Sequence, residues 1–202
     1  MPMAPMLAFT IRSSNNYNYA PFLLIDVGRN ETAIRPDSPQ VNSYWFVFLD
    51  VNNPRVKAKE WVWPGKQHAE VPPGIDTYMQ DPNYIFAVVT QSLITPCLPQ
   101  GPLYDFLAKY GGSRALQRLE QIGAAGTVLA CGGYSMMSYI LTSSGGPRVP
   151  GQPAPASYEI GGPSDGSQPA ILLMSLMARP NGGPPYGLCD SYTWMSPPVA
   201  RA

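Results

Sequence analysis

Charge is what this sequence has least of. Thirteen basic and 13 acidic residues make up only 13% of the chain, about half the usual share. The two signs cancel to a net charge of +0. The basic stripe of a nucleic-acid binder is therefore missing, and nucleic acid is excluded as an expected partner. The densest positive stretch, Arg55, Lys57 and Lys59, would share one face at strand spacing and reads as a solvated face. Histidine occurs once, at His68, and cysteine three times, at Cys97, Cys131 and Cys189. No two cysteines form a CxxC pair, so no metal site is expected. An odd count allows one internal disulfide at most, and buried free thiols are the common alternative. Long hydrophobic runs are also lacking. The most apolar stretch, Ile171 to Ala178, is far too short to span a bilayer, so no membrane insertion is expected. The opening Met1-Pro2-Met3-Ala4-Pro5-Met6 has neither the basic start nor the apolar run of a signal peptide.

Proline and glycine are abundant instead. The chain carries 24 Pro and 19 Gly in 202 residues, where proline averages about 5% and glycine about 7%. Such density limits helix and favours loops and sheet edges. Apolar residues at 45% suffice for a real core. Leu7 to Arg12 alternates as a half-buried strand, Ser13 to Tyr19 is an Asn- and Tyr-rich loop, and Pro21 to Val27 is a short apolar strand. Ser43 to Val51 is aromatic and β-branched on both faces, which predicts a strand central to a sheet. Asn52-Asn53-Pro54 supplies a turn, with Asp50 as its side-chain cap, and Val56 to Val62 returns as the second arm of a hairpin. Gly65 to Pro82 reads as a polar linker, and Tyr84 to Gln91 as another buried strand.

Helical periodicity is confined to one region. Leu103, Phe106 and Leu107 follow Pro102, and Gly111-Gly112 ends that helix. Ser113 is placed to cap a second helix carrying Leu116, Leu119 and Ile122. Thr127 to Cys131 and Tyr134 to Thr142 then read as strands. The 143–169 segment reads as a Pro/Gly-rich surface loop with a short strand at Ser157 to Ile160. Ala170 to Met177 reads as a buried strand, and 179–202 as an irregular tail. Strands, then a helix pair, then strands predict a single α/β (α+β) domain over 1–202. It would be a β-rich mixed sheet or sandwich with a short helix pair packed on one face.

Between Ser43 and Ser144 the order of pieces resembles the interleukin-like EMT inducer (ILEI-like) domain. The pieces are Tyr44 to Asp50, Asp76-Thr77-Tyr78, Tyr84 to Thr90, Leu103 to Lys109, Ala115 to Leu119 with Ile122-Gly123, and Tyr139-Ile140-Leu141. The resemblance covers about half the chain and rests on order and spacing. It implies a compact β-rich α/β module without established enzymatic chemistry. Such modules occur in secreted and cell-surface proteins, in some cases linked to carbohydrate recognition, and also in phage tail-type proteins.

Catalytic sets are incomplete. His68 lies in the polar linker, and a triad would need it near a nucleophile and a carboxylate. Cys131, between Ala130 and Gly132-Gly133, is the best nucleophile candidate, and a buried structural thiol is the plainer reading. Ser135 lacks the GxSxG elbow. Asp76 and Asp81 share the linker without a metal-loop pattern. The glycine pairs Gly111-Gly112, Gly132-Gly133, Gly145-Gly146 and Gly161-Gly162 lack the lysine and hydroxyl of a phosphate loop and read as turns. Asn30-Glu31-Thr32 is a glycosylation triplet. No catalytic residue, metal or cofactor is expected.

The aromatic residues carry the most functional content. Trp61 and Trp63, two apart, would point the same way on a strand. With Asp76 and Tyr78 in the linker they form the candidate binding group, able to stack on a sugar or anchor a protein. The plainer reading is that they cover the edge of the core. The expected function is a non-enzymatic binding or interaction module for carbohydrate or a protein partner. The alternative is a structural subunit of a phage particle or other extracellular assembly, as a homo-oligomer. An extracellular or virion setting is favoured over a cytoplasmic one.

Overall fold

Alternation in the sequence becomes a two-sided strand at once. β1 (Met6–Arg12) buries Leu7, Phe9 and Ile11 and turns Met6, Ala8 and Arg12 outward. The computed structural model describes residues 6–15, 18–26, 30–125, 136–152, 154–164, 169–178 and 185–189. After β1 come β2 (Phe22–Ile25), β3 (Thr32–Ile34), β4 (Ser43–Asp50), β5 (Asn53–Pro64) and helix α1 (Ile75–Met79). β6 (Tyr84–Gln91), β7 (Leu93–Ile94), α2 (Gly101–Lys109) and α3 (Arg114–Ala124) follow. β8 (Met136–Ser144), β9 (Ser157–Ser164), β10 (Ile171–Ala178) and β11 (Tyr186–Leu188) complete the order.

The strands form two sheets. Sheet A runs β11-β10-β1-β2-β3, and sheet B runs β5-β4-β6-β8 with β7 and β9 also paired to β8. Every strand pairing is antiparallel. A parallel bridge, Ser14 to Gln91, carries the chain from the end of β1 onto sheet B. The β-rich fold with its helix pair thus holds, as a sandwich of two sheets.

Two cores result, one on each face of sheet B. Between the sheets, Trp45, Val47 and Leu49 of β4 meet Phe9, Ile11, Leu23 and Ile25 of sheet A. On the other face, Tyr44, Phe46 and Phe48 pack with Phe86 and Tyr139 against Leu103, Leu107, Leu116 and Leu119 of the helices. This explains why β4 is apolar at successive positions: it is covered on both sides. Each large side chain so buried stabilises the fold by about 1.5–3 kcal/mol. The polar ends of these aromatics find partners, as buried tyrosine and tryptophan require. Trp45 Nε1 donates to Glu60 Oε2 at 2.9 Å, and Tyr44 OH donates to the Cys97 carbonyl at 2.5 Å.

Several expectations need correction. The linker 65–82 is not polar throughout, because it contains α1, whose Ile75 and Met79 are buried against sheet B. That helix is a single turn and a half, too short for periodicity to register. Ser113 precedes α3 but makes no side-chain cap; Glu159 of β9 takes that role instead, accepting from Ala115 N–H at 2.9 Å and Leu116 N–H at 3.3 Å. The tail is not wholly irregular, since β11 pairs with the end of β10. The basic stretch does not share one face. Lys59 pairs with Phe48 and Lys57 with Leu49, and the register shift between these pairs turns the two lysines to opposite sides. The expected strand Thr127 to Cys131 lies outside the described residues. The Asp50 turn is as read: its Oδ1 accepts from Asn52 N–H at 2.8 Å.

Gly161-Gly162 is not a turn but lies within β9, which is longer than the Ser157 to Ile160 strand expected. The reason is steric. A Cβ on Gly161 would come within 2.7 Å of the Tyr139 ring and 3.0 Å of the Ser138 carbonyl, whereas one on Gly162 would meet nothing within 4 Å. Gly161→Ala is therefore expected to cost about 1–3 kcal/mol by overpacking, and Gly162→Ala close to nothing. Paired urea denaturation curves measure both. Equal midpoints for the two variants would contradict this explanation of the glycines.

Candidate functional site

The residues singled out in the sequence are brought partly together. Trp61 and Trp63 pair with Phe46 and Tyr44 across the β4–β5 hairpin and so lie on the helix side of sheet B, pointing the same way as expected. Trp61 meets Tyr78 of α1 edge-on, ring centroids 5.1 Å apart, and Phe48 at 5.6 Å. Tyr84 adjoins Tyr78 at 5.8 Å. Lys59 Nζ stands 5.4 Å above the Trp61 ring. These contacts use much of the Trp61 surface as packing. Trp63 is further committed, because its Nε1 lies 3.1 Å from both the Gln67 and Glu70 carbonyls and fastens the linker to the sheet.

Asp76 serves the helices. Its Oδ1 accepts from Lys109 Nζ at 2.9 Å and from Tyr110 OH at 2.5 Å, and Gln80 Nε2 donates to Oδ2. Burial alone would push its carboxyl up, but Tyr110, Lys109 and Gln80 outweigh that and hold it below 3.8. The same contact, with burial first, pushes the Tyr110 hydroxyl well above its ordinary value. An ionised carboxylate with its oxygens already occupied joins α1 to the end of α2.

The other reactive groups are dispersed. His68 donates its backbone N–H to Gly65 and accepts at its carbonyl from Gln100 N–H, while its Nδ1 is buried without a partner. Cys97 is a buried free thiol whose Sγ accepts from Asn42 Nδ2 at 3.3 Å, and Cys189 is also buried. Cys131 and Ser135 lie outside the described residues. Among the described residues no group of three or more His, Cys, Asp or Glu could hold a metal ion, and no helix is long and apolar enough to cross a membrane.

A second surface went unread in the sequence. β10 was expected to be buried, yet Leu173 is 73% exposed and Ile171 46%. Strand register places these side chains in rows on the outer face of sheet A. Leu173 pairs with Thr10, Thr10 with Leu24, and Leu24 with Ala33. Beside that row, Ile171 pairs with Arg12, and Arg12 with Phe22. At the far end Met6, 40% exposed, pairs with Met177. Among the described residues, two arginines stand at one end of this face, Arg12 and Arg35, whose guanidinium carbons lie 5.6 and 5.0 Å from the Phe22 centroid. Neither makes an ion pair with a described residue. The missed signal was comparative. β10 is apolar at seven of eight positions (Ile171–Ala178), but the strand beside it alternates, so one side of β10 had to remain bare.

Compared with models of protein families, with curated proteins and with solved structures, the chain matches none.

Proposed function

We propose that this chain is a non-enzymatic interaction module that docks a protein partner on the outer face of sheet A. The carrying observation is the outer face of sheet A, where Leu173, at 73% exposure, and Ile171 stand on β10 and Leu24 and Phe22 on β2, with Thr10 and Arg12 of β1 between them. A single exposed leucine is ordinary surface, but apolar side chains gathered from two strands on one face are what a contact site requires. The arginines state the partner's chemistry: an apolar stripe ended by acidic groups that reach Arg12 and Arg35. A compact β-rich α/β module without established enzymatic chemistry is also what the ILEI-like resemblance implies, and that kinship is part of the proposal.

A photo-crosslinking residue at position 173, with one at exposed Val56 of β5 as control, tests the reading. Position 173 is expected to give an adduct of discrete mass that weakens when Arg12 and Arg35 are both changed to Glu. Identical adducts from both positions would oppose it. If the adduct is a second copy of this chain, the surface belongs to a self-assembling subunit, and sedimentation of the Leu173→Asp variant would show the loss of that assembly.

Sugar stacking is the second reading, supported by the grouping of half-buried Trp61, Tyr78 and Tyr84 beside Lys59. A glycan-array signal lost in Trp61→Ala would favour it, and a signal unchanged by that substitution would remove it.

A further inference from the structure

Between the edge strand β3 and the edge strand β5 lies a cleft of about 510 Å³, walled by the 32–37 segment together with Arg55 and Lys57. It opens beside the arginine end of the sheet A face, because Arg35 belongs to both. Its cations are unequally committed. Lys57 Nζ donates to the Arg35 carbonyl at 3.1 Å, to Asp37 Oδ1 at 2.6 Å and to Glu60 Oε2 at 2.9 Å, which occupies all its protons. Arg55 donates from Nη2 to Asp26 Oδ2 at 2.6 Å, but its Nε is buried with no acceptor. Arg35 has no carboxylate partner among the described residues and is braced by the Phe22 ring at 5.0 Å. The carboxylate on the wall, Asp37, is drawn outward by Lys57, and its side chain is 79% exposed.

We infer that this cleft receives a single carboxylate of the docked protein, held between Arg35 and the exposed part of the Arg55 side chain, which is 31% exposed. The planar guanidinium fork suits a carboxylate's two oxygens. Asp26 and Asp37 stand close by, so one negative charge is tolerated where the double charge of a phosphate meets more repulsion. This rests on the docking proposed above and adds to it the group that fixes the partner's register.

The test is NMR of the arginine Nε–Hε signals in the purified full chain, titrated with sodium glutarate against sodium chloride at matched ionic strength. Glutarate is expected to shift the Arg55 signal along a saturating curve, chloride to leave it unmoved, and Arg35→Gln to weaken the glutarate response several-fold. Arg35 is exposed, so this variant is expected to fold. A linear response, or one shared with chloride, would overturn the inference. A stronger saturating response to inorganic phosphate would overturn the carboxylate assignment. Leu173→Asp lies outside the cleft and is expected to keep the glutarate response. If that response persists while partner binding ignores Leu173→Asp, the docking reading fails and the cleft stands. If binding depends on Leu173 but glutarate does nothing, the cleft alone fails.

Discussion

Phe48→Ala is expected to destabilise the fold by about 3–5 kcal/mol, the range for removing a buried phenylalanine that leaves a cavity. Phe48 is fully buried and meets the rings of Trp61, Tyr78, Tyr84 and Phe86 at 5.6, 5.6, 6.1 and 6.1 Å. Those partners come from β5, α1 and β6, which cannot all collapse into one hole without breaking the β4 register. For a chain of this length the loss corresponds to a fall in melting temperature of roughly 6–20 °C. Calorimetry measures the fall, and tryptophan fluorescence should report Trp61 losing an edge contact. A shift below a degree would mean that the aromatic group is loosely held and that its rings are available to a ligand. A large shift places Trp61 and Tyr78 among the residues that hold α1 to the sheet.

Glu159 carries the second large effect. Its carboxylate accepts from Ser113 Oγ at 2.5 Å, from the first free N–H groups of α3 at 2.9 and 3.3 Å, and from Tyr139 OH at 3.0 Å. One side chain on β9 thereby caps a helix and satisfies a tyrosine in the core. Glu159→Ala is expected to cost about 2–4 kcal/mol, combining a lost helix cap with a buried hydroxyl left unpaired. Glu159→Gln, which keeps an acceptor but not the charge, should cost about half as much. Burial tends to raise this carboxyl, but the hydrogen bonds from Ser113, Ala115 and Tyr139 prevail and hold it below 4.5. A carboxyl depressed in the folded state contributes stability above its unfolded value of about 4.3, and that contribution is lost as pH falls through the folded value. Asp76, depressed in the same way, adds to the same acid window. Denaturation midpoints should therefore fall on acidification below about pH 4.5, and less steeply in Glu159→Gln than in the wild type. Parallel slopes would remove Glu159 from this role.

Much of the fold was legible because local pattern and tertiary placement agree. β1 alternates and has one wet face; β4 does not alternate and has none. The helix pair was bounded by Pro102 and Gly111-Gly112 because those residues act on the backbone where they stand. Placement was illegible wherever it depended on residues distant in sequence. Glu159 caps a helix whose first turn lies more than forty residues earlier, with a sequence separation of 44 to Ala115. Gly161 is small because of Tyr139 across the ladder. A single residue extra in β5 sends Lys57 and Lys59 to opposite sides. The candidate group fared likewise. Trp61 and Tyr78 do meet, yet whether an aromatic serves a core or a ligand depends on the linker folded over it. The bare face of sheet A needed strand order, since β10 borders β1 only through a pairing between the two ends of the described chain.

Docking through sheet A is tested most directly by the affinity of the partner crosslinked from position 173, titrated calorimetrically against the wild-type, Leu173→Asp and Trp61→Ala chains. A carboxylate placed at the centre of an apolar contact, where it would be buried unpaired, is expected to cost more than about 1.4 kcal/mol, or tenfold in Kd. The expected result is binding at least about tenfold weaker for Leu173→Asp and nearly unchanged for Trp61→Ala. The reverse pattern, with Leu173→Asp binding as tightly as wild type and Trp61→Ala weakened, would contradict docking on sheet A and move the contact to the aromatic edge of sheet B.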